Sequence, residues 1–309
     1  MPRPRTFPVD HPPFAALPVA PVALASGQRA MVHVSGEWSR QALPLVCIPG
    51  YQRNMTDFAD FEQYFRRASG GDWPIVLVDL PGRGRADNRE KAEDYSSLAD
   101  ARDVASVLAA LGVPQAIFFG QGHGGQVSMA LAAEHPLLVA GTILLDAGPV
   151  TDSRCIVRLR NNVAHVEALR GRAVLAGFRR ILAGDYPELP PGQLDKLIGR
   201  THFIDKHGRA KPLYDKRLIS ALASINFDDV LAPQWPLFDA LRCAPLMLIR
   251  TQLTDQLRRQ TFDEMTRRRR GAAMLTIEGQ GSPALLNKAA EVEAIAGFVR
   301  ATSKRRFAA

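Results

Sequence analysis

Short, unbroken apolar runs set the rhythm of the chain from residue 43 onward: Pro44 to Ile48, Ile75 to Leu80, Ala116 to Phe119 and Gly141 to Asp146. Runs of this length without polar alternation are strands covered on both faces, which predicts a mostly parallel sheet with helices on either side. Helical spacing fills the gaps. Phe58, Phe61 and Phe65 share one face of a first crossover helix, with Asn54 or Thr56 available as its N-cap. Further helices are predicted over about 98–111 and 124–134, the latter ended by His135-Pro136. Before the sheet proper, β-rich stretches from Val19 to Val34 flank Ser26-Gly27-Gln28 as an edge hairpin, and the proline-rich residues 1–17 read as a flexible arm or a surface-hugging extension.

The strand rhythm stops between 151 and 235, where the chain turns Arg-rich and helical with breaks at Pro187, Pro190-Pro191 and Pro212. It resumes at Pro245 to Arg250 and Ala273 to Ile277, and a helix over about 286–302 closes the chain. The expected organisation is an arm (1–17), an α/β core in two pieces (18–150 and 236–309) and a helical insertion (151–235). No internal repeat is visible.

Composition adds limits. With 309 residues, 46% hydrophobic and 23% charged, the chain has enough material for a large core. No apolar stretch approaches the roughly 18 residues of a membrane span, and the N-terminal residues lack the apolar run of a signal peptide, so a cytoplasmic protein without a membrane partner is expected. Cys47, Cys155 and Cys243 are too scattered for a metal centre, and no P-loop is present, so neither metal nor cofactor is expected. A net charge of +8 raises nucleic-acid binding, but Arg267 to Arg270 closes a helix and Lys304-Arg305-Arg306 lies near the terminus, which favours solvated basic faces.

The chemistry concentrates in Gly120-Gln121-Gly122-His123-Gly124-Gly125, a glycine-rich turn between a strand and a helix. Gly120, Gly122 and Gly125 fit the dinucleotide fingerprint G-x-G-x-x-G, with Asp146 placed to meet a ribose. Gly120-x-Gly122-x-Gly124 also fits the G-x-S-x-G nucleophile elbow with glycine at its centre. The flanks favour the second. Pro44 to Tyr51 followed by Asp57-Phe58, the turn Asp79-Leu80-Pro81-Gly82-Arg83-Gly84-Arg85-Ala86-Asp87, and the return through Trp235 to Leu241 into Pro245 to Arg250 together resemble the α/β-hydrolase superfamily over about residues 19–302.

That resemblance implies an α/β-hydrolase fold with a helical cap over a small-molecule pocket, and a Ser, Asp, His order of site residues. The nucleophile position is then Gly122, the acid Asp255 with Asp146 as a second candidate, and the histidine position Ser282. No histidine follows His207. The oxyanion-hole donors implied are the backbone N–H groups of Tyr51 and His123. A glycine cannot attack a carbonyl and a serine hydroxyl cannot shuttle protons near neutral pH, so a related but catalytically impaired ligand-binding protein is expected. The alternatives are hydrolysis or lysis by groups such as His123, Asp255 or a bound water, and dinucleotide binding. His202 and His207 lie where they could reach the pocket mouth, and the Arg-rich insertion points mildly to an anionic ligand.

Overall fold

Strand alternation sorts the core into two layers. Leu45, Cys47, Ile75, Leu77, Ile117 and Phe119 face one side of the sheet, while Val46, Ile48, Val76, Val78 and Phe118 face the other. Every one of these side chains is fully buried, which is why the apolar runs are continuous rather than alternating. A computed structural model describes residues 7–8, 10–39 and 41–307.

In chain order the elements are α1 (Pro12–Ala15), β1 (Ala20–Ala23), β2 (Arg29–Ser35), β3 (Leu45–Ile48), α2 (Ala59–Ala68), β4 (Ile75–Asp79), α3 (Ser97–Ala110), β5 (Ala116–Gln121), α4 (His123–Glu134) and β6 (Val139–Leu145). The chain then leaves the sheet through α5 (Ser153–Ala168), α6 (Arg172–Ala183), α7 (Pro191–Gly199), the ribbon strands β7 (His202–Ile204) and β8 (Ala210–Pro212), α8 (Arg217–Ser220) and α9 (Trp235–Asp239). It returns through β9 (Leu246–Thr251), α10 (Arg259–Arg268), β10 (Ala273–Ile277) and α11 (Ala289–Phe307). The main sheet runs β1-β2-β4-β3-β5-β6-β9-β10, with β2 antiparallel to both its neighbours and the remaining pairs parallel. This is the α/β-hydrolase fold expected from the sequence. Helices α2 and α11 pack on one layer, and α3, α4 and α10 on the other.

Several local expectations are refined. A 3₁₀ turn at Met55–Phe58, capped by the Asn54 side chain, precedes α2. The insertion carries the β7–β8 ribbon as well as helices. The closing helix starts at Ala289, because Leu286 adopts a left-handed φ of 52°. The described part of the segment read as a flexible arm is docked: Phe14 and Leu17 are buried, and the Arg85 guanidinium donates to both their carbonyls. No helix among the described residues is long and apolar enough to cross a membrane.

Close approach governs the centre of the sheet. A Cβ on Gly124 would stand 2.0 Å from the Ile48 carbonyl oxygen, so α4 reaches β3 only through a glycine. Gly297 in α11 has nothing within 4 Å of such a Cβ. Substitution to alanine should therefore have opposite signs: Gly124→Ala should cost about 3 kcal/mol through overpacking, and Gly297→Ala should gain about 1 kcal/mol of helix propensity. Urea unfolding of the two variants checks the pair.

Candidate functional site

The turn from β5 into α4 places Gly122 at φ 50°, ψ −114°, a conformation that strains any residue with a side chain. Its N–H donates to the Leu145 carbonyl at 2.9 Å, which locks the turn against β6. A Cβ on Gly122 would meet Gln256 Oε1 at 2.6 Å, so the Gln256 side chain, arriving from the loop after β9, stands over the turn. Both residues line a cavity of about 330 Å³ between the sheet and the insertion.

Three loops converge on this floor. The loop after β3 brings Gly50, Tyr51, Gln52 and Arg53; the loop after β6 brings Asp146; the loop after β10 brings Ser282. The N–H groups of Tyr51 and His123 donate to no protein acceptor among the described residues. Apolar side chains of α5, α6 and α7, among them Ile156, Leu159, Phe178 and Ile198, form the opposite wall.

A buried charge cluster sets the spacing of two of those loops. Asp100, fully buried on α3, receives Arg83 at 2.9 Å, Arg89 at 2.7 Å and His123 Nε2 at 2.8 Å. Burial alone would raise its pKa, but Arg83, His123 and Arg89 hold it well below the usual carboxylate range. Arg83 also donates through Nε to the Tyr51 carbonyl at 2.8 Å. The His123 ring is thus held on Asp100 and packs edge-on against Tyr51, at 5.2 Å between ring centroids. That leaves it poorly placed as a substitute nucleophile.

The acids are arranged differently from the sequence expectation. Asp255 accepts from Arg158 Nε at 2.7 Å. The carboxylate beside Ser282 is that of Asp146, which sits at φ 48° and is 1% exposed. Asp146 accepts from the Thr251 N–H at 2.8 Å and the Thr251 hydroxyl at 2.7 Å. Burial pushes its pKa up to about 6, opposed by Thr251 and Ser282. Asp146 is held against β9 in this way, so the oxygens that the dinucleotide reading would offer to a ribose are each already engaged by Thr251.

His202 lines the cavity but is buried and held neutral, its pKa pushed down to about 3 by burial with Arg53 and Lys216 adding. Its Nδ1 lies 2.9 Å from the Thr201 hydroxyl. His207 is exposed in the turn of the ribbon, away from the cavity. Among the described residues, no serine or cysteine side chain is hydrogen-bonded to a histidine ring. Cys155 faces the cavity with its thiol pushed up to about 12, mainly by burial. No group of His, Cys, Asp and Glu among the described residues could hold a metal ion.

The arginines of the insertion do not make the cavity cationic. Arg53 and Arg158 are the arginines that line it, and each is paired: Arg53 with Asp57 at 2.6 and 2.5 Å, Arg158 with Asp255. Arg160 caps the carbonyls of Leu222, Ala223 and Ile225, and Arg179 pairs with Asp195. Asp146, Asp185 and Asp255 all line the cavity, and burial raises Asp185 to about 6. This distribution offers an anionic ligand no unpaired arginine among the described lining residues. Composition counted charges without their direction. The residue that sequence reasoning missed is Gln256, whose neighbour Asp255 drew attention through the family pattern.

Residues 45–295 match the model of the alpha/beta hydrolase family. The chain is 25% identical over 264 residues to a 3-hydroxybutyrate-oligomer hydrolase of Cupriavidus necator, covering 79% of this chain and 85% of that protein. It is 25% identical over 168 residues to a 2-hydroxy-6-oxononadienedioate/2-hydroxy-6-oxononatrienedioate hydrolase of Burkholderia vietnamiensis, covering 52% and 58%. A crystal structure of an alpha/beta hydrolase from Novosphingobium aromaticivorans superposes with a TM-score of 0.78 at 25% identity, over 92% of this chain and 98% of that one. The fold is also similar to E-2-(acetamidomethylene)succinate hydrolase, with a TM-score of 0.73 at 18% identity, over 92% and 99%.

Because Asp146 titrates near pH 6 when folded and near 3.9 when unfolded, the native state keeps a proton that the unfolded chain has released. Stability is therefore lost as pH rises from about 4 through 6, by about 3 kcal/mol for this group. Asp146→Asn abolishes that titration and tolerates the left-handed φ. Relative to wild type, the variant should gain about 3 kcal/mol between pH 4 and pH 8 in urea unfolding. A difference independent of pH would show that Asp146 does not titrate in this window.

Proposed function

Starting from a chain that belongs to the alpha/beta hydrolase family, we propose a small-molecule-binding member impaired in acyl transfer, with Gly122 at the nucleophile's seat and Ser282 at the histidine's. The observation that carries this reading is the strained turn at Gly122, φ 50° and ψ −114°, which aims an absent side chain into the cavity. The backbone has the shape that presents a nucleophile, and the residue there has no atom to attack with. The loop after β10 delivers Ser282 beside Asp146, and a hydroxyl in that seat does not relay protons near neutral pH.

What side-chain substitution leaves intact is the backbone. The N–H groups of Tyr51 and His123 form the shelf that would hold a carbonyl oxygen. Residues 151–235 serve as the cap, and their apolar helices supply the wall that accepts a hydrocarbon portion of the ligand. Similarity to proteins named as a 3-hydroxybutyrate-oligomer hydrolase and a 2-hydroxy-6-oxononadienedioate/2-hydroxy-6-oxononatrienedioate hydrolase supports a small organic compound as the ligand.

One rival reading has an observation in its favour. Asp146, with a pKa near 6, is poised to act as base toward a water. Its two oxygens are already engaged by Thr251, which leaves little freedom for that role.

Purified protein should hydrolyse short-chain p-nitrophenyl esters no faster than its Gly122→Ala variant, and should not be labelled by a fluorophosphonate. Hydrolysis above that background which disappears in Asp146→Asn would establish the rival instead. The combination Gly122→Ser, Ser282→His and Gln256→Ala should gain fluorophosphonate labelling. The single Gly122→Ser should not, because triad members act as a unit and Gln256 stands where the new side chain must go.

A further inference from the structure

The cavity floor is rich in carboxamides, and three of them are free. Gln52, Gln121 and Gln256 line the cavity, and their side chains make no protein hydrogen bond at the floor among the described residues. Gln121 is only 4% exposed, and the Gln52 Oε1 atom is buried without a partner. A buried amide oxygen left unpaired, as at Gln52, destabilises the empty site, so such a floor favours a guest that pairs with it.

From this arrangement we infer that the pocket is specific for an uncharged amide or lactam head on an apolar tail, with Gln256 as the residue that selects it. The inference rests on the small-molecule-binding reading above. The N–H groups of Tyr51 and His123 require an acceptor, and Gln256 Oε1, 2.6 Å from the Cβ position of Gly122, requires a donor. An amide offers C=O and N–H on adjacent atoms and satisfies both at once. An ester offers the carbonyl but no donor, so it meets Gln256 only through the carboxamide NH2 and its own weakly accepting alkoxy oxygen, whereas an amide N–H pairs with Oε1. A carboxylate guest would face Asp146, Asp185 and Asp255 around the same cavity, and an ammonium guest brings no acceptor for the N–H groups of Tyr51 and His123.

Calorimetric titration with N-hexylacetamide and hexyl acetate, matched in length and shape, tests the assignment. Wild type should bind the amide about tenfold more tightly, the equivalent of one neutral hydrogen bond. In Gln256→Leu the two affinities should converge, with folding verified by urea unfolding. In Gln256→Glu, an acceptor without donors when ionised, the amide preference should persist. Equal affinities in wild type, or a preference that survives Gln256→Leu, overturn the Gln256 assignment and leave the ligand-binding reading standing. Binding of neither compound overturns both.

Discussion

The buried cluster around Asp100 is the constraint on which the site depends. One carboxylate with no access to water is shared by Arg83, Arg89 and His123, and Arg83 passes the link on to the Tyr51 carbonyl. Burying such a cluster is expensive, and well-packed apolar residues in its place are often no less stable. Its contribution is therefore best sought in geometry. It fixes the loop after β3 relative to the first residue of α4, and these two segments carry the N–H groups that face the cavity. Arg89 extends the cluster to Asp103, which also accepts from Ser26 in the hairpin, so the same node ties down the edge of the sheet.

The electrostatics of the pocket follow from pairing rather than from counting. The chain carries a net charge of +8, yet its cavity is lined by three carboxylates and by two arginines that are each already matched. Arginine in the insertion is used chiefly as a tie: its five donors reach backbone carbonyls at helix ends and carboxylates on neighbouring helices. Each such tie removes a cation from the surface facing a ligand. Beside the Asp146 carboxylate, what remains on the floor is neutral and directional, made of backbone N–H groups and carboxamides.

Much of the fold was legible because the interior is periodic. Strands β3, β4, β5, β6 and β9 announced themselves as buried runs, and the glycines around the β5 turn marked where backbone meets backbone. Loop excursions were less legible. The ribbon of β7 and β8 is too short to carry a period, and the docking of Phe14 and Leu17 depends on Arg85, some 70 residues away. In the site, Gly122 and Ser282 were singled out by the family resemblance, and the structure puts both on the cavity, one in the turn after β5 and the other in the loop after β10. Spacing could not say that Asp146 rather than Asp255 would stand beside Ser282, because that depends on how the loops after β6 and β9 pack. Gln256 left no signal at all: a glutamine beside an aspartate in a polar loop looks like solvent-exposed sequence.

Glycine at an elbow has a double consequence. It relieves the strain of a left-handed turn, on the order of 1–3 kcal/mol, and it opens a space the size of a side chain directly over the turn. Gln256 enters that space. A serine there would present one oxygen to attack a carbonyl; a carboxamide in the same place presents a hydrogen-bond acceptor and donor but no nucleophile. Backbone donors do not change with the side chain, so the N–H groups of Tyr51 and His123 remain free of protein acceptors among the described residues whatever residue occupies position 122. On the proposed reading, such a site would hold a carbonyl and respond to what is bonded to it.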